Sequence, residues 1–437
     1  MRQQVTGEFT QVSVTAGTLQ NVSEFRNIEV ASTNEKGTGI ILKPLERIQF
    51  VEDTTVYVRT FGDNNGANGS AYFTTEPFKL KVGRGNAEKI IKLTDTKYKM
   101  SAIYPDTYQT MTEVPDELDM SRLTTMEEMF KNCKALTTIP SLDTSNVTNM
   151  RSMFSGCSAL TSIPSLDTSN VTNMASMFYN CTKLTTIPSL DTSNVTDMSS
   201  MFSGCSAFTS IPNLDTSNVT NMRAMFYDCT KLTTIPSLDT SNVTNMASMF
   251  HSCSAFTSIP NLDTSNVTNM NSMFRGCSAL TSIPNLDTSK VMYMNFMFYY
   301  CLALTTIPSL DTSNVTNMSY MFYDCTKLTT IPSLDTSNVT NMNSMFYNCT
   351  KLTSIPNLDT SNVTDMSSMF YRCSALTISL TIDCASIDSA NTFTSLHRAF
   401  SYSHVTKVTL KNVKEKLKSK IDSQYLSQDN KLEITFA

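Results

Sequence analysis

Residues 166–189 read LDTSNVTNMASMFYNCTKLTTIPS, and the same 24 residues begin again, almost unchanged, at Leu190. Units open at Leu118, Leu142, Leu166, Leu190, Leu214, Leu238, Leu262, Leu286, Leu310, Leu334 and Leu358, and Ile382 opens a degraded twelfth. A fixed period of this length excludes an ordinary globular core. One unit is too short to bury its own apolar face and has to stack on its neighbours, so about 60% of the chain is expected to be one solenoid.

Within NVTNMASMFYNC the apolar residues Val171, Met174, Met177, Phe178 and Cys181 fall at i, i+3, i+6, i+7 and i+10. That spacing reads as one face of a short helix. Asp167, Thr168 and Ser169 stand where side-chain oxygens would cap its first N–H groups. After Cys181, KLTTIPS is rich in β-branched residues and ends at Pro188, which has no N–H for a continuing ladder; it reads as a short strand and its stop. The expected fold is therefore an α/β solenoid with one short parallel strand and one short helix per 24-residue turn.

Eleven of the twelve cysteines, Cys133 to Cys373, recur once per unit, and Cys384 stands apart. Equivalent side chains in stacked turns project in parallel, whereas a disulfide needs two Cβ atoms turned toward each other at roughly 3.5–4.5 Å. These cysteines are read as buried, reduced, small apolar residues, and no CxxC pair or histidine cluster suggests zinc. Of the 27 methionines, 22 occupy two places per unit, from Met126 and Met129 to Met366 and Met369. They read as core.

The motif LDTSNVTxMxxMFxxCxxLT resembles the BspA-type leucine-rich repeat, the bacterial surface-protein repeat of about 25 residues, over residues 118–381. The resemblance implies a solenoid of leucine-rich-repeat type, usually found on bacterial surfaces and usually linked to adhesion.

The ends differ from the repeats. Residues 1–78 contain alternating segments such as FTQVSVTAG, NIEVAS, GIILK, RIQFVE, TVYVRTF and SAYFTTEPF, with GDNNGANGS as a hairpin tip. They predict an N-terminal all-β domain, a sandwich or barrel suited to anchoring. Residues 79–117 read as a connector and N-terminal cap, 118–381 as the eleven repeats, and 382–437 as a degenerate repeat with a C-terminal cap. In the last segment VKEKLKSKI reads as a basic amphipathic helix, a membrane or partner-binding segment or, as this architecture requires, a polar cap over the solenoid end.

Catalysis needs unlike groups brought together, and this chain offers like groups in rows. Its three histidines, His251, His397 and His404, have no nucleophile or carboxylate arrangement beside them, so no catalytic or cofactor-binding residues are proposed, and the protein reads as no enzyme. Charged residues make up 16% of the chain and the net charge is −5, which argues against nucleic acid as a partner. No apolar run approaches the roughly 18 residues that would insert in a membrane. The aspartates from Asp119 through Asp143 and Asp167 to Asp383 form a row that either calcium or backbone amides could neutralise. Nine N-V-T triplets, Asn146 to Asn362, match a glycosylation acceptor but sit at the same place in each unit and read as local capping.

Candidate contact residues follow from the places where the sentence varies. Thr185, Thr186 and Ser189 belong to an array of hydroxyls that suits either sugar recognition or plain solvation of a strand. Beside the core phenylalanine, one place carries Tyr179, Tyr227, His251, Arg275, Tyr299, Tyr323, Tyr347 and Tyr371. Aromatic and arginine side chains are favoured at binding surfaces because they bring large area for few frozen torsions. The unit 286–309, LDTSKVMYMNFMFYYCLALTTIPS, departs most: Lys290, Met292, Tyr293, Phe296, Tyr300 and Leu302 replace small or polar residues. On a helix Met292, Phe296 and Tyr300 would share a face, and an exposed apolar cluster of this kind reads as a contact with a ligand or a second copy, against the plainer account of drift in one repeat.

These readings predict a rigid, non-enzymatic display solenoid anchored through residues 1–117 to a larger assembly. MRQQVTGEFTQ has no apolar stretch of a secretory signal, which with reduced cysteines suits assembly in a cytosol. A bacteriophage virion appendage, a head or tail fibre or decoration protein on the virion surface, is the first expectation. A bacterial cell-surface adhesin is the alternative. The expected partners are a bacterial surface glycan or protein on the repeats, with a homo-oligomer also open.

Overall fold

The computed structural model describes residues 93–115, 118–120, 122–387, 396–418, 421–422, 426–427 and 432–437, and within 1–92 the backbone of the strands alone. The chain divides into two compact units: Met1–Tyr98 with Glu113–Leu123, and Lys99–Thr112 with Thr124–Ala437.

In the first unit, β1 (Gln3–Thr6), β2 (Thr10–Val14), β4 (Ile28–Ser32), β5 (Thr38–Leu42), β7 (Thr54–Gly62) and β8 (Asn68–Phe73) form a six-stranded sheet in the order β1-β4-β5-β8-β7-β2. Strands β3 (Leu19–Asn21), β6 (Arg47–Phe50) and β9 (Leu80–Val82) form a three-stranded one. The antiparallel pair β7–β8 runs from Tyr57↔Phe73 to Gly62↔Asn68. It brackets the GDNNGANGS tip, whose residues 63–67 lie outside the described residues. A short parallel pair joins β10 (Ile91–Lys92) to β11 (Leu118–Asp119).

The second unit is a stack of 24-residue coils, and its local structure corrects the helix expected from the sequence. Between Leu123 and Ile378 no α-helix is present; the segment NMASMFYNC is a chain of β-turns. In the coil 166–189, Ser176 and Asn180 both have φ near 56°, a left-handed conformation that no α-helix admits. Each sits third in a four-residue turn, closed by Met177 N–H to Met174 O at 3.1 Å and Cys181 N–H to Phe178 O at 3.0 Å. A left-handed residue in that place is the mark of a type II turn. The intervening N–H groups point along the stack. Those of Met174, Ser176, Phe178 and Asn180 donate to Asp197, Ser199, Met201 and Ser203 of the next coil at 2.7–3.2 Å. Alternate amides thus close turns and tie coils together, and none is left for a bond to the fourth residue back.

The expected strand in KLTTIPS is corrected too. The parallel bridges lie instead at Asn149↔Asn173↔Asp197 and onward to Asp365. Along the Thr-Thr-Ile-Pro side, coils are joined at one carbonyl, as where Thr305 N–H and Oγ–H both donate to Thr281 O at 3.3 and 3.4 Å, and the proline in this stretch supplies no donor.

The LDTSN stretch is a stitch and not a helix cap. Asp167 Oδ1 accepts from Ser169 N–H at 3.1 Å and from Ser169 Oγ–H at 2.7 Å. The buried Thr168 hydroxyl donates forward to Asp191 O at 2.8 Å, and Asn170 Nδ2 donates backward to Ser145 O at 2.9 Å. Two side chains therefore hold one coil to the coils on either side and a third fixes the turn between them, which accounts for the near-invariance of these letters.

Val171, Met174, Met177, Phe178, Cys181 and Leu184 are fully buried, and so are their counterparts along the stack. The core phenylalanines form a continuous column from Phe130 to Phe400 with centroids 5.5–5.9 Å apart. All twelve cysteines are buried and unpaired. At the first end α1 (Met100–Ile103) covers the stack through Met100 N–H to Met129 O, while Lys131 and then Lys99, by hydrogen bonds to its carboxyl, hold Glu128 down at about 2. At the other end β12 (Leu380–Asp383), β13 (Lys407–Lys411) and β14 (Glu433–Phe436) form a parallel sheet, and α2 (Glu415–Lys418) occupies part of the expected basic helix.

Candidate functional site

Because the coil is a run of turns, the places beside the core phenylalanine face solvent at one rung spacing. Side chains there meet their counterparts 24 residues away. Tyr299, Tyr323, Tyr347 and Tyr371 stack face to face with centroids 4.7, 4.3 and 4.5 Å apart. The Arg275 guanidinium caps one end of this column, 4.7 Å above Tyr299, and below it Tyr227 and His251 stack at 4.2 Å. Tyr402 meets Tyr371 edge-on at 5.3 Å, and Arg372 lies over both rings.

The column is half-buried, and its electrostatics follow. Burial and then the Arg275 charge push the His251 imidazole down to about 4, so it is neutral at ordinary pH. Burial raises the Tyr299 phenol, and burial with the adjacent Tyr347 raises that of Tyr323.

Unit 286–309 adds a second short column. Phe296 stacks on Tyr320 at 4.7 Å, under Arg275 at 5.3 Å, and Tyr299 touches Phe296, Tyr300 and Tyr320. Phe296, Tyr300 and Tyr320 have φ of 60°, 64° and 58° at places where most other coils carry serine, alanine, asparagine, aspartate or glycine, with Glu128 and Arg372 as further exceptions. Bulky residues in the left-handed region cost of order 1 kcal/mol each, and such strain concentrates at functional surfaces. Met292, Tyr293 and Tyr300 are 44%, 48% and 47% exposed. Tyr293 replaces the asparagine that bridges coils elsewhere, and Lys290 Nζ donates to Asn266 Oδ1 at 2.7 Å.

The sequence-derived residues are therefore brought together in part. Phe296, Tyr299, Tyr300, Tyr323, Tyr347, Tyr371 and Arg275 form one connected surface. The helical face proposed for Met292, Phe296 and Tyr300 does not exist, since the segment is not helical. Tyr179 is 40% exposed and stands apart, because Ser155 and Ser203 hold its place in the coils on either side. Tyr320, Arg372 and Tyr402 were missed. Tyr320 follows Phe296 by one period, a signal that a helical reading hides. Thr185, Thr186 and Ser189 are exposed. Among the described residues no group of three acidic, histidine or cysteine side chains could hold a metal, and no helix is long and apolar enough to cross a membrane.

A family described as a Mycoplasma protein of unknown function, DUF285, matches six overlapping stretches: 98–210, 159–257, 197–307, 231–328, 279–383 and 301–412. The chain belongs to the DUF285 family. No curated protein matches it. Among solved structures, this DUF285 chain is similar to a leucine-rich-repeat protein of T. pallidum, at 21% identity over 35% of this chain and 69% of the other, with a TM-score of 0.30. It is also similar to a leucine-rich-repeat protein from Eubacterium ventriosum, at 18% identity over 72% of this chain and 89% of the other, with a TM-score of 0.42. The solenoid architecture of this DUF285 chain rests on its own coil-to-coil bonds.

Proposed function

We propose that this protein is a non-enzymatic display scaffold that makes an adhesive contact through its repeats. The observation that most supports this is the aromatic and arginine column crossing the coils from Tyr227 to Tyr371, held on a backbone that repeats without interruption. A solenoid tolerates variation only outside its core, and here the variation collects on one strip. Rows of like groups give area and register for a partner, and no convergent acid, base and nucleophile for chemistry.

In this reading residues 1–78 form an all-β anchoring domain, 79–117 the connector, and the repeats meet a bacterial surface glycan or protein. A bacteriophage virion appendage is the favoured setting. A BspA-like bacterial surface adhesin is the second, favoured by the motif LDTSNVTxMxxMFxxC. Labelled full-length protein should bind bacterial cells or an arrayed glycan, and replacing Lys290, Met292, Tyr293, Phe296, Tyr300 and Leu302 by the residues of neighbouring units should weaken contact with the fold intact. Unchanged contact would overturn the reading. Gold-labelled antibody on virions and on cell envelopes separates the two settings.

A further inference from the structure

The charges along the strip are ordered, and their order carries information. The place after the column residue holds Asp228, Ser252, Gly276, Tyr300, Asp324, Asn348 and Arg372 in successive coils. Three residues further on, a place outside the core holds Lys231, Ala255, Ala279, Ala303, Lys327, Lys351 and Ala375. Both series are centred on unit 286–309, the most apolar coil of the strip.

A two-fold axis lying in a contact plane, perpendicular to the stacking direction, reverses the order of coils. It also returns every place in the repeat to itself. Two copies related this way share one rung spacing, so they keep register at every coil. With the axis at unit 286–309, Asp228 comes opposite Arg372, and by symmetry Arg372 opposite Asp228. Arg275 comes opposite Tyr323 and beside Asp324. Lys231, Lys327 and Lys351 each come opposite an alanine, Ala375, Ala279 and Ala255. At the centre Tyr299, Tyr300 and Ala303 meet their own copies, with Met292, Tyr293 and Phe296 around them. Moving the axis one coil in either direction destroys this match. At unit 310–333 Lys327 meets Lys327 and Arg275 falls beside Arg372; at 262–285 Asp228 meets Asp324 and Lys231 meets Lys327.

We infer that the aromatic strip pairs with the same strip of a second copy of this chain, antiparallel, about unit 286–309. The interface has an apolar centre and a charged rim in which Lys231, Lys327 and Lys351 each face a small residue and the terminal pair is a reciprocal salt bridge. This is the arrangement expected of an isologous contact, in which residue i meets j and j meets i. It explains why bulky aromatic residues are kept in left-handed conformations at Phe296 and Tyr320, where most coils carry serine or alanine, and at Tyr300, where most carry asparagine, aspartate or glycine. The inference rests on the reading of the strip as a contact surface.

Sedimentation of the full chain over a concentration series tests it. The wild type should reach a dimer. Asp228→Arg and Arg372→Asp, each placing like charges together twice, should each weaken dimerisation by about tenfold or more. Mixing the two single variants sets two cations against two anions and should restore pairing as a heterodimer, and the double variant in one chain should restore the homodimer. A wild type that stays monomeric, or a dimer indifferent to these exchanges, would overturn the pairing. A monomer whose binding to cells is nonetheless lost on replacing the six residues of unit 286–309 overturns self-pairing alone and keeps the contact surface. A monomer whose cell binding is unchanged overturns both.

Discussion

The thiol of Cys181 donates to the carbonyl oxygen of Phe154 in the preceding coil, 3.2 Å away, and the same bond recurs from Cys157 at 3.0 Å to Cys373 at 3.0 Å. The cysteine column is thus a set of proton donors. A disulfide or a thiolate at any of these places removes a bond and leaves a buried carbonyl with one partner fewer.

Burial pushes the Cys181 and Cys277 thiols up to about 12. The unfolded chain releases these protons near the ordinary value of about 8.5, while the native chain holds them. Stability is therefore fully present below about pH 8.5 and declines as pH rises toward the folded values. Thermal melts from pH 7 to 10 should show a falling midpoint, and a thiol reagent should label few cysteines in native protein and nearly all twelve in denaturant. Rapid native labelling would place the column outside the core.

Phe226 is fully buried between Phe202 and Phe250, 5.8 Å from each. Phe226→Ala should cost roughly 3–5 kcal/mol by denaturant unfolding, as truncation of a packed aromatic does. A loss below about 1 kcal/mol would mean that the coils collapse onto the cavity.

Deleting residues 214–237 rejoins equivalent positions, so each alternate amide again finds a carbonyl in the next coil. Cooperative melting should survive. Deleting residues 214–225 brings core and surface places into opposition and should abolish it. Circular dichroism melts of the two chains distinguish the cases, and equal loss would contradict a stack held by nearest neighbours.

Asp167, Asp191, Asp215 and their successors are held below the usual carboxylate range, first by the serine hydroxyl two residues on and then by its amide. Their contribution is present above about pH 4, the unfolded value, and is lost as pH falls through the folded values, where protons bind the unfolded chain first. Acid should lower the melting midpoint cooperatively. Since serine already engages one oxygen of each carboxylate, EDTA at neutral pH should leave the midpoint unchanged. A drop in EDTA would restore calcium to the row.

The period, the stacked coils and the identity of the buried residues were legible because burial repeats with the letters: Val171, Met174, Met177, Phe178 and Cys181 are all interior. The backbone was not. Apolar residues three and four apart fit a helix face and a run of turns equally well, since both bring every third or fourth side chain to one side. What separates them is the left-handed residue, and its trace was present in the small or turn-forming Ser176, Asn180, Gly156 and Gly204. At Gly204 an added Cβ would lie 2.1 Å from Asn180 Oδ1, so glycine and asparagine alternate there for space as well as for φ. Phe296 and Tyr320 escaped grouping for the same reason: their contact runs along the stack, one period apart.

Because the bonds that join coils all run along the stacking direction, every interface of a stack pulled at its two ends carries the same tension. An end coil, held by neighbours on one side alone, yields first, and bonds such as those to Asp197, Ser199, Met201 and Ser203 then break one coil at a time. Each coil set free lengthens the chain by roughly 80 Å of slack before the next is loaded. Under a pulling force the repeats would behave as a reel of near-equal lengths, yielding stepwise and dissipating work at every step, so that a tether built this way stretches long before either of its attachments is torn away.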